Sequence, residues 1–157
     1  MAPDLGLLSR LVGVWTGPGR GIYPTIPSFE YVETVTITAP PKPFLAYHQA
    51  TKHPTTGAPM HTEVGYFRMG AAPGDVELMI AQPSGITEVH TGHIEEVDGV
   101  VRLDLHAATI GRSPSSKLVS SVSRFIEIEG DILRNRLSMG SVGQPHQLHL
   151  SAELQRS

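Results

Sequence analysis

From Tyr31 onward, apolar and polar residues change places at every second position, and turn-forming residues cut this alternation at near-regular intervals. A period of two places alternate side chains on opposite faces of a strand, so the pattern predicts a chain built almost wholly of half-buried strands. The runs are residues 31–39, 44–52, 60–69, 76–82, 86–95, 100–108, 117–128 and 132–139, with a closing strand in the tail after Pro145. Between them lie Pro40-Pro41-Lys42-Pro43, the 53–59 loop, Ala71-Ala72-Pro73-Gly74-Asp75, Pro83-Ser84-Gly85, the hairpin signal Asp98-Gly99, the 111–116 loop and Glu129-Gly130-Asp131. With the glycine-rich stretch before Tyr31 the count is about ten strands. Ten short antiparallel strands point to an all-β fold, an up-and-down barrel of the lipocalin or fatty-acid-binding kind, with a β-sandwich as the alternative. A barrel of that size leaves interior room beyond its own side chains and invites a ligand.

Two segments precede the alternation. Residues 4–12 carry Leu5, Leu8, Leu11 and Val12 at helical spacing behind Asp4, an N-cap candidate. They predict a short helix plugging one end of the barrel. Then come Gly13, Gly17, Gly19 and Gly21 around Trp15. A phosphate loop would want such glycines before a helix. Pro18, Tyr23 and Pro24 oppose a helix there, and no Gly-Lys-Ser/Thr follows. Glycines in a first strand instead permit sharp coiling and close approach of another backbone or a ligand. Trp15, the only tryptophan, is expected at the barrel base with its indole N–H on one partner.

Composition narrows the function. The 157 residues suggest one domain, residues 1–157. A net charge of −3 without a Lys/Arg run argues against nucleic acid as a partner. The absence of Cys removes disulfides and thiolate metal sites. The N-terminus lacks the pattern of a signal peptide, and no apolar run approaches the roughly 20 residues that span a bilayer. The expectation is a cytoplasmic protein with no membrane partner.

Eight histidines is a high count for this length. His90/His93 and His146/His149 are spaced by three, so on a regular strand the members of each pair face opposite ways and do not chelate. No spacing suggests the three or four converging ligands of a zinc site. No Gly-x-Ser-x-Gly elbow supports a hydrolytic triad. Glu95 and Glu96 are adjacent and on opposite faces, which does not suit glycoside chemistry. Met60 and His61 open a strand after a loop and would sit at a barrel mouth, while Gln82 and Met139 close strands. In the tail, His149 is a candidate axial ligand for a haem iron, since an imidazole at a barrel mouth is a plausible iron ligand and a chain without Cys has no thiolate alternative. Leu148, Leu150, Ala152 and Leu154 share one parity and His149 has the other. Either His149 sits at the rim before the regular strand begins, or a bulge resets its face.

The stretch Gly13-Val14-Trp15-Thr16-Gly17-Pro18-Gly19, continued by Gly21-Ile22-Tyr23-Pro24-Thr25-Ile26, resembles the GxWxGxG signature of the nitrobindins. Phe29-Glu30-Tyr31, the stretch 42–47, the stretch 60–68 and the stretch 80–88 agree in order, and the tail 144–150 is similar to the closing segment of that family. The resemblance covers nearly the whole chain. It implies a ten-stranded barrel holding one haem b in an open mouth, with His149 on the iron. It places Met60, His61, Gln82 and Met139 near the distal side or cavity, and Thr25 and Lys117 in contact with the haem, Lys117 as a partner for a propionate. The implied activity is isomerisation of peroxynitrite to nitrate on ferric iron, with nitric oxide bound on ferrous iron, and a homodimer is left open. His146 departs from the family pattern, where an apolar residue is expected. Two readings from other classes remain at this level: a nitric oxide carrier or sensor without catalysis, and an iron-free barrel for an apolar molecule.

Overall fold

The alternating runs become ten antiparallel strands in a computed structural model that describes residues 4–157; residues 1–3 of the expected 1–157 domain lie outside the described ones. The strands are β1 (Gly13–Tyr23), β2 (Ile26–Thr38), β3 (Leu45–Lys52), β4 (Pro59–Met69), β5 (Asp75–Ala81), β6 (Ile86–Val97), β7 (Val100–Arg112), β8 (Val119–Glu129), β9 (Ile132–Ser141) and β10 (Gln147–Arg156). Each pairs with its sequence neighbours, and β1 closes the ring on β10 through Trp15↔Arg156, Gly19↔Ala152 and Gly21↔Leu150. The barrel expectation holds over the sandwich, and closure leaves no free edge. Among the described residues no helix is long and apolar enough to cross a membrane.

One end of the barrel is filled. The predicted helix is a 3-10 helix, Gly6–Leu11, shorter than residues 4–12. Its period of three explains the difference: Leu5, Leu8 and Leu11 recur every third residue and line up on one 3-10 face. All three are buried. Asp4 is not the side-chain N-cap; its carboxylate accepts from Gly6 N at 2.9 Å, one step before the helix. Trp15 lies fully buried at this base and donates Nε1–H to the Leu11 carbonyl at 2.9 Å. The Arg156 guanidinium stacks over the indole, 4.2 Å from the ring centroid, and donates to the Arg10 and Val12 carbonyls. Above this plug, Leu45, Phe67, Leu78, Leu103, Ile128 and Leu133 make a dry core.

The glycines of β1 serve close approach. A Cβ at Gly19 would fall 2.2 Å from the Tyr31 ring, and one at Gly21 would fall 2.1 Å from the Phe29 ring. Both aromatic rings lie across the bare β1 backbone from their partner positions on β2. β2 accordingly starts at Ile26, five residues before the regular alternation. β7 runs to Arg112, taking in the start of the expected 111–116 loop, and β8 begins at Val119 rather than Lys117. The Asp98-Gly99 turn has φ of 53° and 80°, the doubly left-handed geometry that matches strand twist in a two-residue hairpin.

Candidate functional site

The other end of the barrel is open. A cavity of about 480 Å³ lies between the C-terminal ends of β1, β3, β5, β7 and β9 and the N-terminal ends of the even-numbered strands. That volume is within the ordinary range for a small-molecule or cofactor site. Its wall is mainly apolar, with Phe29, Met60, Ile86, Val122, Leu137 and Met139. His149 and His61 face the space, and Lys117 stands exposed at the rim.

The conflict of parity at His149 resolves through a bulge. Leu148 pairs with Ser138 and Leu150 with the adjacent Leu137, so His149 is the extra residue of β10. It lines the cavity together with its neighbour Leu150, while Leu148 is turned outward and exposed. The β1–β2 ladder carries an irregularity between Gly21 and Tyr23, where Ile22 of β1 stands opposite both Pro27 and Ser28, so the extra residue is on β2. The two bulges meet: His149 Nδ1–H donates to the Ile22 carbonyl at 2.9 Å. This bond fixes the tautomer, so the lone pair is on Nε2. Edges of Tyr23 and Phe29 flank the ring at centroid distances of 5.2 and 6.3 Å. Tyr23 is held in turn by accepting from Ser141 N at 2.9 Å. Burial, and to a smaller degree His61, keeps His149 below the ordinary histidine range although the Ile22 bond acts the other way. The side chain is a neutral, oriented imidazole, the form that ligates metals.

The cavity floor is a belt of buried polar residues. Arg124 reaches Glu63 Oε2 at 2.8 Å through Nη1 and Glu88 Oε1 at 3.1 Å through Nε. Its Nη2 donates to Glu88 Oε2 at 3.2 Å. Glu63 also accepts from the Tyr47 hydroxyl at 3.1 Å and lies 3.3 Å from His61 Nε2. Glu88 contacts Gln82 Nε2 and lies 2.6 Å from Nε2 of the fully buried His90. Burial acts to raise the Glu63 pKa, but the Arg124 charge and the bonds from His61 and Arg124 hold it down to about 2. Glu88 is lowered against the same desolvation by Arg124 and His90. Glu33, deeper in the barrel, is raised by burial, which outweighs the bonds from Asn135 and Gln49. A chamber of about 50 Å³ lies below the belt, lined in part by Glu33, Gln49 and Asn135.

Of the residues singled out in the sequence, the structure brings together His149, Met60, His61, Gln82, Met139 and Lys117 around one cavity. Thr25 is exposed on the β1–β2 turn at the same end and does not line it. Gly13, Trp15, Gly17 and Gly19 belong to the base and wall, far down β1 from the mouth. His146 is on the outer wall, bridging Ser121 at 2.7 Å and Ser123 at 2.9 Å. His90 is a buried wall residue and His93 an exposed one, as the strand period predicts. Sequence reasoning missed Glu63, Glu88 and Arg124. Among the described residues no three His, Asp or Glu side chains converge on a metal-ion site. Iron held by His149 therefore needs its other ligands from outside the chain, as a porphyrin supplies them, and the apolar wall, free Nε2 and rim lysine fit that group.

The chain is similar to known proteins over nearly its whole length. The family model described as THAP4-like, heme-binding beta-barrel domain matches residues 4–156. The chain is 46% identical over 154 residues to peroxynitrite isomerase 1 of Mycolicibacterium paratuberculosis, covering 98% of this chain and 95% of that protein. It is 47% identical over 154 residues to peroxynitrite isomerase 2 of Mycobacterium marinum, with the same coverage. The crystal structure of Rv2717c from M. tuberculosis superposes with a TM-score of 0.95 at 45% identity, covering 100% of this chain and 99% of that one.

Proposed function

The chain belongs to the THAP4-like, heme-binding β-barrel family, and we propose that it holds one haem b in a single domain spanning residues 1–157 and isomerises peroxynitrite to nitrate. The reading includes ferric iron as the isomerising state, nitric oxide binding on ferrous iron, and a place in the cytoplasm. The observation that carries it is His149. A neutral imidazole, pinned through Nδ1 and presenting Nε2 to a largely apolar cavity of about 480 Å³, is the donor a haem iron requires. Relatives named peroxynitrite isomerase match nearly the full length of the chain.

When bound, the haem supplies a Lewis acid for an anionic ligand, so that peroxynitrite rearranges to nitrate without net change of oxidation state. The chain's own residues do the rest. His149 would hold the iron through Nε2, and the Ile22 carbonyl keeps its ring from rotating. Tyr23 and Phe29 clamp the ring edges. Met60, Met139 and Leu137 would give the bound group an apolar wall that excludes water. Lys117, exposed at the rim, would pair with a propionate, and Thr25 on the β1–β2 turn would contact the group outside the cavity. His61 and Gln82 present polar atoms to the same space, held by Glu63 and Glu88. Isomerisation transfers no proton overall, so no general acid or base is required of them.

Reconstitution with hemin tests the reading. Wild type and His146→Ala are expected to show the haem Soret band, and His149→Ala to lose it. The reverse pattern overturns the ligand assignment. Stopped-flow decay of peroxynitrite should be faster with the loaded protein than with equal free hemin; no acceleration beyond free hemin leaves a nitric oxide carrier. A wild-type protein that refuses hemin removes the haem altogether.

A further inference from the structure

The polar belt under the cavity has an unbalanced charge. Glu63 and Glu88 are 4% and 3% exposed, and they share one guanidinium, that of Arg124. Both carboxylates are held in their ionised form by that cation. The ring that touches Glu88 from the wall is that of His90. Its Nδ1 is buried without a partner. As an imidazolium it would carry an unbonded N–H on a buried cation, whereas as a neutral ring donating from Nε2 it leaves only an idle lone pair. Glu33 lies deeper in the barrel, where burial raises its pKa. Two carboxylates against one guanidinium leave one negative charge of this trio uncompensated at the cavity floor. His61 faces the same cluster from the open side at 3.3 Å from Glu63.

Natural cores rarely keep an unpaired charge, because its desolvation is costly unless something compensates it. A positive charge in the cavity above would compensate it. A ferric haem core carries one positive charge more than a ferrous one. We propose that the Glu63–Arg124–Glu88 cluster supplies a fixed negative charge that biases the bound haem toward the ferric state. The inference rests on the haem reading above and deepens it, since it explains why this site stays in the oxidation state that isomerises peroxynitrite. A unit charge about 10 Å away, at an effective dielectric near 20, changes such an equilibrium on the order of tenfold. For a one-electron couple that is about 59 mV.

The test is the reduction potential of the hemin-loaded protein, measured by spectroelectrochemistry at about pH 8.5, where ordinary imidazoles are uncharged. Glu88→Gln and Glu63→Gln each remove the excess charge and are expected to raise the potential by about 59 mV, equivalent to tenfold. Arg124→Gln doubles the excess and is expected to lower it. A merely structural disturbance has no reason to change sign with the sign of the deleted charge. Glu127→Gln, on the outer wall beside Arg102 and Arg134, serves as the control and should leave the potential unmoved. Whichever glutamate variant folds and loads decides the matter. An unmoved or lowered potential in that variant overturns this inference while leaving the haem reading intact. Failure of the wild type to take up hemin overturns both.

Discussion

Glu63→Gln isolates the energy stored in the floor of the cavity. The carboxylate is buried and ion-paired with Arg124 at 2.8 Å, and its pKa falls from an ordinary 4.5 to about 2. At about 1.4 kcal/mol for each tenfold change in acidity, that fall corresponds to about 3 kcal/mol of folding stability. The sign follows from the depressed value. The unfolded chain binds the proton first, so the contribution is complete above pH 4.5 and is lost as pH falls toward 2. Glu33 acts in the opposite sense, because a raised carboxyl favours the folded state at low pH and loses that advantage as pH rises. The difference between wild type and Glu63→Gln removes the part of the Glu33 contribution that comes from burial and leaves only its smaller charge coupling to Glu63. Urea unfolding of the apoprotein, followed through the single buried Trp15, should show the variant less stable by about 3 kcal/mol at pH 7. The gap should narrow below pH 4.5. A variant equal to wild type at pH 7, or a gap that stays constant down to pH 2.5, would refute the claim that Glu63 is held ionised by Arg124.

Two further expectations concern the mouth. Gly21→Ala places a methyl 2.1 Å from the Phe29 ring, which must move, and the expected cost is about 1–3 kcal/mol in thermal unfolding with weaker hemin binding, since Phe29 also flanks His149. Because burial depresses the His149 pKa, hemin affinity measured by titration should be flat from pH 8 down to about 6.5 and fall only below it; a tenfold loss already at pH 6.5 would contradict a pre-neutral imidazole.

Most of the fold was legible because strand period and turn chemistry are local. Asp98-Gly99 announced its hairpin, and the alternation located nine strands to within a few residues, with β2 the main exception. The plug was legible as a short helix but not as a 3-10 one, because Leu5, Leu8 and Leu11 suit both an α-helical face and a 3-10 face over two turns. The facing of His149 could not be read from pattern, because one inserted residue reverses a strand's faces without altering its composition. The only trace was the conflict itself: four apolar residues on one parity and the candidate ligand on the other. The charged floor left a clearer trace that went unused. Glu33 alternates in step with Tyr31, Val35 and Ile37, and Arg124 shares parity with Val122, Ile126 and Ile128. A charge on the apolar face of a strand signals a buried partner, and each partner lies on a different strand, beyond the reach of local reading.

The three levels of the barrel follow from its width. Ten strands enclose more space than their own inward side chains fill. At the base a separate element, the 3-10 helix with Trp15, takes up the surplus and makes a dry core. At the mouth the surplus is left as a cavity, and a bulge in β10 turns a single imidazole into it. Between them, long charged side chains meet across the lumen, Arg124 from β8 bridging Glu63 on β4 and Glu88 on β6. An apolar floor of equal volume would close the base as well, and replacing buried ion pairs by packed apolar groups is often neutral or stabilising. Retaining two carboxylates against one guanidinium is therefore a choice that stability does not explain. A positive centre above the floor does explain it, and the cationic core of the ferric porphyrin proposed for His149 would be such a centre.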